Sequence, residues 1–423
     1  MTGLRKILYL LACFSTAACA QYNLNYFIDK AWSNSPALKD YGNLMRINTL
    51  QKNLDEAQNA AVQVYLSSNV LFPPYFNNNG VPLTPNPNPS AIGYDAAVTN
   101  GGLYSAQVNF EKNIFNGGLL NALSEQRLTE GKIYEHQSYQ EKHDIEKQVT
   151  DQYLSTLQQL LLYNLSKEIK NNLQNQLAIT GNLVAKGYSK AQDYLLLKIE
   201  VKSQEIEMNL TWQNYKSGIA RLYLLCGIRD TQTVLLDSVE LTMSGKKSGS
   251  DFLTQYYLDS LHAAAQQQVF ETKYLPQVNL FFNGGLNAVE LNGIERKFGV
   301  SAGLNFSLPI LDGGQQSITR QQTSLAEETL SEYKNYFAGN ISTQRNDAES
   351  RIASLKKNLD DLKAQIGDYK KVLELSESEL QRGTLSMVEY LTVLKNYVDL
   401  QKNTITAGIN YRLEISNYNY WNW

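Results

Sequence analysis

The turn Phe115-Asn116-Gly117-Gly118 recurs in the second half of the chain as Leu311-Asp312-Gly313-Gly314, a shift of 196 residues. Glycines permit left-handed backbone angles that other residues adopt only under strain. Asn and Asp are favoured in turns and at helix N-termini. Each copy therefore predicts a point where a strand ends and a helix begins, with the turn residues Asn116, Gly117, Gly118, Asp312, Gly313 and Gly314.

Two further stretches repeat at the same shift. Lys186–Leu195 returns as Arg382–Leu391, and Asn214-Tyr215 returns as Asn410-Tyr411. One offset that holds over roughly 100 residues without an insertion indicates a duplicated structural unit. The predicted organisation is a signal peptide (1–20), a first repeat (21–228), a linker (229–260) and a second repeat (261–423).

The N-terminus has the pattern of an export signal. Arg5-Lys6 form a basic region, Ile7–Phe14 a short apolar region, and Ala18-Cys19-Ala20 a small-residue cleavage site before Gln21. Acylation of Cys13 or Cys19 is a second possibility. Cleavage leaves Cys226 as the single cysteine, so no intramolecular disulfide is expected.

Alternating apolar and polar residues predict two strands in each repeat. The clearest alternation runs over Val300–Ile310, and its partner is predicted over Leu275–Val289. In the first repeat Tyr104–Glu111 alternates in the same way, with a partner near Val62–Phe76 and an exposed loop over 77–102. Strands of about ten residues have the length that a tilted outer-membrane strand needs.

The mature chain contains no run of 18 apolar residues, so a span across a membrane would have to be a β-barrel. Four strands cannot close a membrane barrel, because the smallest barrels have about eight. Three copies of the chain would supply 12 strands. The alternative is a soluble four-stranded sheet with both faces covered.

Long helices follow the strands. Gly118–Ala185 and Gly314–Arg382 contain no proline, and a helix of that length is roughly 100 Å long. Gly187 and Gly383 interrupt them before a second helix in each repeat, which predicts two helical hairpins with these glycines at the tips. Apolar residues in the second long helix follow the 3-4 spacing of a coiled coil: Ile352, Leu355, Leu359, Leu362, Ile366, Tyr369 and Leu373.

The sequence shows no catalytic constellation. His136, His143 and His262 lack metal-ligand spacing and are interpreted as structural, and there is no phosphate-binding loop. We therefore expect a protein that is not an enzyme and that binds no metal or cofactor. The net charge of −3 gives no attraction to nucleic acid. Whether Trp421 and Trp423 pack at a helix end or mark an interface stays open at this point.

This duplicated order of strands, GG turn, long helix, glycine tip and second helix resembles the TolC-like outer membrane efflux proteins. The matching residues are the signal peptide, Asn34-Ser35-Pro36, both GG turns, both glycine tips, and the closing Asn214-Tyr215 and Asn410-Tyr411. The resemblance covers essentially the whole mature chain.

The resemblance implies a mixed α and β fold, a homotrimer with a 12-stranded barrel in the outer membrane, and a hollow helical barrel extending into the periplasm. It implies three further partners: outer-membrane lipid, a periplasmic adaptor (membrane fusion) protein, and through it an inner-membrane pump of the RND or ABC type. The function would be an exit duct for efflux or type I secretion. Drugs, metal ions and polypeptides all stay open as the cargo.

The resemblance also assigns roles to the hairpin tips. Adaptor docking falls on Lys186, Gly187, Ser189, Arg382, Gly383 and Ser386. The acidic residue six positions after each tip glycine, Asp193 or Glu389, falls at the periplasmic aperture. The alternative for the two acids is stabilisation of a helix start by its dipole. The competing functions are a secreted or surface coiled-coil structural protein, which the paired strands disfavour, and a periplasmic enzyme.

Overall fold

A computed structural model describes residues 22–94 and 103–423. The predicted signal peptide, with Cys13 and Cys19, and part of the predicted loop over 77–102 lie outside these ranges. As predicted, the fold is mixed α and β. The helices are α1 (Leu24–Asn34), α2 (Pro36–Asn59), α3 (Leu119–Ala185), α4 (Ala191–Leu225), α5 (Thr254–Glu271), α6 (Gln315–Arg382) and α7 (Met387–Trp421). The strands are β1 (Gln63–Val70), β2 (Tyr104–Asn116), β3 (Gln277–Ala288) and β4 (Phe298–Ser307).

The described chain forms two compact units, each assembled from separate stretches of sequence. The first comprises the chain up to Lys39, Tyr139–Phe252 and Ala338–Trp423, and the second comprises Asp40–Ser138 and Leu253–Phe337. Both halves of the chain contribute to each unit. The predicted repeat boundaries stay a prediction, although the order of two strands, a long helix and a shorter helix does occur twice.

The second unit contains one sheet with the order β1-β2-β3-β4, and every neighbouring pair is antiparallel. The predicted strands are present, but their ends were wrong. β1 stops at Val70 rather than Phe76, before Pro73-Pro74, and β4 stops at Ser307 rather than Ile310, before Pro309. Proline lacks the N–H that a strand ladder needs, which accounts for the end of β4 two residues before Pro309 and prevents β1 from extending through Pro73.

Helices α2, α3, α5 and α6 each contribute to this unit, and polar pairs join them. Arg127 of α3 lies 2.8 Å from the carboxylate of Asp55 in α2. Arg320 of α6 donates two hydrogen bonds to Glu271 of α5 at 2.6 and 2.8 Å. That pairing lowers the pKa of Glu271 to about 2. The pair is partly exposed, so we expect it to orient the helices more than to stabilise them.

The first unit contains the hairpin tips and most of the buried core. In the sequence of α3, apolar residues recur at every fourth position from Ile145 to Leu177, and in the structure all of them are buried or half-buried. The coiled-coil seam predicted in α6 is likewise its least exposed face between Ile352 and Leu373. Both patterns therefore marked real packing surfaces.

The stretch after α4 has no regular secondary structure over residues 228–248 and is held by tyrosine hydroxyls. Tyr153 donates to the carbonyl of Asp237 at 2.7 Å, and Tyr223 donates to that of Gln232 at 3.0 Å. The hydroxyl of Tyr215 donates to the carbonyl of Val234 at 2.6 Å and accepts from the Leu236 N–H at 3.1 Å. These bonds satisfy backbone groups that no helix or strand pairs.

The C-terminus packs into an aromatic cluster in the same unit, which resolves the open question about Trp423. The His143 ring stacks on Tyr420 and Trp423, with centroids 4.9 and 4.6 Å apart, and Phe252 meets Trp423 edge-on. Trp423 is only 6% exposed. The histidine is structural here, in agreement with its interpretation from sequence.

Candidate functional site at the hairpin tips and the two-faced sheet

Each hairpin tip is a glycine-terminated helix end with the same geometry. Gly187 has φ +76°, its N–H bonds the carbonyl of Val184 at 3.0 Å, and the N–H of Tyr188 bonds that of Leu183 at 2.8 Å. Gly383 has φ +75°, with equivalent bonds of 3.0 Å from Gly383 to Leu380 and from Thr384 to Glu379. This pair of bonds is a Schellman motif. A Cβ would meet no atom within 4 Å at either glycine, so conformation, not space, requires glycine there.

The tips present an exposed surface. The predicted docking residues Lys186, Gly187, Arg382, Gly383 and Ser386 are exposed, and Ser189 is half-buried. Tyr188, which the prediction omitted, is 80% exposed. The tips thus offer two cationic side chains and, at Tyr188, an aromatic ring to a partner.

The two predicted aperture acids occupy different local settings. Glu389 forms a capping box with Ser386: the Ser386 N–H and hydroxyl donate to its carboxylate at 3.0 and 2.7 Å, and its own N–H donates to the Ser386 hydroxyl. The Ser386 side chain and then its N–H lower the pKa of Glu389. Asp193 has only the Ser189 hydroxyl at 3.3 Å, and the N-cap Lys190 provides no side-chain bond.

Glu389 therefore helps to cap the start of its helix, whereas Asp193 makes little contribution of that kind. The pattern Ser386-x-x-Glu389 is the sequence signature of a capping box, and reading it would have identified this bond in advance. Both carboxylates are accessible, since Glu389 is exposed and Asp193 half-buried.

The two GG turns lie in the second unit, where they join strand to helix. Asn116 is the last residue of β2, and Gly117 and Gly118 have φ of +60° and +85°. Gly313 and Gly314 have φ of +66° and +85°. Asp312 accepts from the Gly314 and Gln316 N–H groups, both at 2.8 Å, and these bonds help to lower its pKa, the Gln316 bond most. At the second turn the Asp312 carboxylate thus caps the start of α6.

The sheet has one apolar and one polar face. The pairings place Val64, Phe110, Phe282 and Ala302 in one row, and Tyr65, Asn109, Asn283 and Ser301 in the next. On the apolar face Leu66 is 75% exposed, Leu304 66%, and even Phe282 in a central strand 41%. A soluble sheet buries its apolar face, whereas this one faces outward along its whole width.

The outer edges of β1 and β4 have no strand partner within the described chain. A long unpaired edge is a template for pairing with another chain. The described residues of a single chain thus leave both the apolar face and the two edges of the sheet uncovered.

No group of three or more His, Cys, Asp or Glu side chains in residues 22–94 and 103–423 is placed to hold a metal ion. Cys226 is buried, and its burial raises the pKa of the thiol to about 12. In the same ranges, no helix is both long and apolar enough to cross a membrane.

Known structures reveal the class to which this architecture belongs. The chain superposes on CusC, a protein that forms a transmembrane channel, with a TM-score of 0.72 and 13% identity, covering 95% of this chain and 92% of that one. For the outer membrane protein VceC from Vibrio cholerae the TM-score is 0.70 and the identity 14%, and the match covers 94% of this chain and 96% of VceC. For the CmeC outer membrane channel of Campylobacter jejuni the TM-score is 0.69 and the identity 15%, and the match covers 94% of this chain and 85% of CmeC.

No protein-family model and no curated protein matches the sequence. The chain has the fold of the TolC-like outer-membrane channels, so the resemblance inferred from the duplicated motifs is confirmed as a likeness of fold. These neighbours are channel proteins and not enzymes, in agreement with the expectation from sequence.

Proposed function

We propose that this protein is a trimeric outer-membrane channel that serves as the exit duct of a tripartite efflux or type I secretion system. The observation that carries the proposal is the sheet with an exposed apolar face, a polar face and two unpaired edges. Lipid would cover the apolar face, and the polar face would line a lumen. Neighbouring copies would pair the edges, because open edges are not tolerated in hydrocarbon.

Three copies would give a 12-stranded barrel, and the long helices would continue the duct as a hollow helical barrel in the periplasm. The likeness to CusC, VceC and CmeC supports this assembly, because it extends over nearly the whole chain. The predicted duplication fits the same scheme, since each repeat would supply two strands and one helical hairpin.

The hairpin tips would meet a periplasmic adaptor protein, which links the duct to an inner-membrane pump. Lys186, Gly187, Ser189, Arg382, Gly383 and Ser386 are the proposed contact residues, and Tyr188 joins them because of its exposure. The exposure of both tips, with Lys186 and Arg382 beside the glycines, supports this role.

Asp193 and Glu389 would line the periplasmic aperture, where a trimer presents up to six carboxylates. Rings of acidic side chains favour cations at a constriction. Asp193→Asn with Glu389→Gln removes both charges while Gln at 389 keeps the capping box. We expect this variant to show a lower preference for cations and a weaker block by multivalent cations. Unchanged selectivity and block would contradict the aperture assignment.

The test of the whole proposal is the oligomeric state of the detergent-extracted protein, with its single-channel conductance in planar bilayers. A trimer that inserts and conducts is the expected result. A monomer that stays soluble without detergent and never inserts would refute the channel and favour the coiled-coil structural protein.

A further inference from the structure

The four strands of the sheet carry almost no charged side chains. The four strands contain only two ionisable acidic or basic residues, Glu111 and Lys112, which are adjacent in β2. Because neighbours in a strand point to opposite faces, Lys112 shares the apolar face with its partner Leu280, and Glu111 lies on the polar face. Glu111 is therefore the one charge that the described strands present to the polar side, and no basic residue of these strands shares that face.

Aromatic side chains flank this carboxylate on both neighbouring strands. The Tyr65 hydroxyl of β1 donates to its Oε1 at 2.6 Å. Phe281 of β3 is directly opposite Glu111 in the register. The Phe281 ring lies against Gly303 of β4, where an added Cβ would be 2.5 Å from the ring. The ring therefore leans from β3 over β4 on the polar face, away from Glu111 on β2, so a ligand that touches both the ring and the carboxylate has to extend across β3.

We propose that Tyr65, Glu111 and Phe281 form a binding site for organic cations on the lumen wall. This rests on the proposed channel, in which three copies of the site lie at one level. A carboxylate attracts a cation, and the aromatic rings carried by the two neighbouring strands offer favourable contacts to the delocalised charge and apolar substituents of a cation large enough to reach them. Glu111 is exposed and Tyr65 is 46% exposed, so a solute in the lumen reaches both.

The surroundings make this site selective for its ligand class. Elsewhere the polar face consists of neutral amides and hydroxyls, such as Asn109, which donates to Ser67 at 2.7 Å, and Ser301, which donates to Asn283 at 2.6 Å. A neutral wall holds neither anions nor cations strongly. A small hydrated metal ion gains little from the rings, whereas a delocalised organic cation gains from both rings and carboxylate.

The competing interpretation is a cross-strand Tyr–Glu pair that only stabilises the sheet. Recordings from channels reconstituted in planar bilayers distinguish the cation site from a purely structural Tyr–Glu pair. We would measure the K⁺/Cl⁻ permeability ratio and the block by tetraphenylphosphonium for wild type, Glu111→Gln and Phe281→Leu. The matched control is Glu295→Gln, which removes the same charge from the β3–β4 connection, where Glu295 is 70% exposed beside Arg296.

The site predicts a different pattern for each variant. Glu111→Gln should lower the permeability ratio and weaken the block, although Gln can still accept the Tyr65 hydroxyl. Phe281→Leu should weaken the block about two- to fivefold, as expected for one exposed cation–π contact, with the permeability ratio unchanged. Glu295→Gln should change neither quantity.

A block that is identical in wild type, Glu111→Gln and Phe281→Leu would overturn the cation site while leaving the channel intact. A wild-type protein that forms no conducting channel would overturn the proposed function instead. In that case calorimetric titration of tetraphenylphosphonium into the detergent-solubilised protein, with and without Glu111→Gln, still tests the site. Equal affinity for the two proteins would then refute it.

Discussion

An arginine scan of two adjacent residues in β4 tests whether the apolar face of the sheet lies in lipid. Leu304 and Asn305 are neighbours on opposite faces, paired with Leu280 and Asn279 of β3. Leu304 is 66% exposed in a single chain. If that face meets water, Leu304→Arg should cost less than about 0.5 kcal/mol, as is usual for an exposed site.

If that face meets lipid, the same substitution is costly. Full burial of a leucine contributes roughly 1.5–3 kcal/mol, so two-thirds exposure leaves about 1–2 kcal/mol to be gained on insertion. Arginine on the lipid face near the bilayer midplane adds about 2–4 kcal/mol. Leu304→Arg should therefore destabilise the inserted protein by roughly 3–6 kcal/mol per chain. Asn305→Arg would place the same side chain in the water-filled lumen and should cost about 0.5 kcal/mol or less, as at other exposed sites.

The assay is guanidinium-induced unfolding of protein folded into lipid vesicles, followed by tryptophan fluorescence and by the shift in gel mobility on heating. The two variants carry the same new side chain one residue apart, so each controls for the other. Equal destabilisation by Leu304→Arg and Asn305→Arg would refute the assignment of the two faces. A larger effect of Asn305→Arg would reverse it.

Three further predictions concern the first unit and are tested by unfolding in detergent. Gly383→Ala should destabilise by about 1 kcal/mol because φ is +75°, whereas Gly367→Ala, inside α6 with no neighbour within 4 Å, should stabilise by about 0.5–1 kcal/mol; effects of the same sign would contradict this. Tyr215→Phe should cost about 1–3 kcal/mol, because it leaves the Leu236 N–H and Val234 carbonyl unpaired, and a neutral result would show that water replaces the hydroxyl. Burial lowers the pKa of His143, so the folded state resists protonation of this ring. The contribution of the neutral ring to the free energy of unfolding should be fully present above pH about 6.5 and should be lost as the pH falls below that value. His143→Phe should remove this pH dependence from a plot of Tm against pH.

The regular elements were largely predictable from sequence because their patterns have a direct physical cause. The alternation in β4 reflects two faces in different surroundings, and the 3-4 seam of α6 reflects packing along one side. The ends were less predictable. Pro309 follows the early end of β4 and Pro73 limits β1, and the capping box of Ser386 sets the start of α7 at Met387.

The candidate sites divide in the same way. The tip glycines were predictable, because a repeated glycine between two helical patterns indicates a positive φ. The grouping of Tyr65, Glu111 and Phe281 was not, because these residues are far apart in sequence and meet only through the register of three strands. A shift of one residue in either pairing would move the aromatic ring to the opposite face.

In the proposed trimer, pairing of the free edges of β1 and β4 between chains would make the folding of one chain and the association of several chains a single reaction. A single chain that has not yet assembled would expose two unpaired strand edges and the apolar face of the sheet, and would be prone to aggregate. Its stability then has no value independent of concentration. The unfolding midpoint of the inserted protein should rise with the ratio of protein to lipid, as it does for an obligate oligomer. The rate at which assembled channels form should rise more steeply than in direct proportion to the chain concentration.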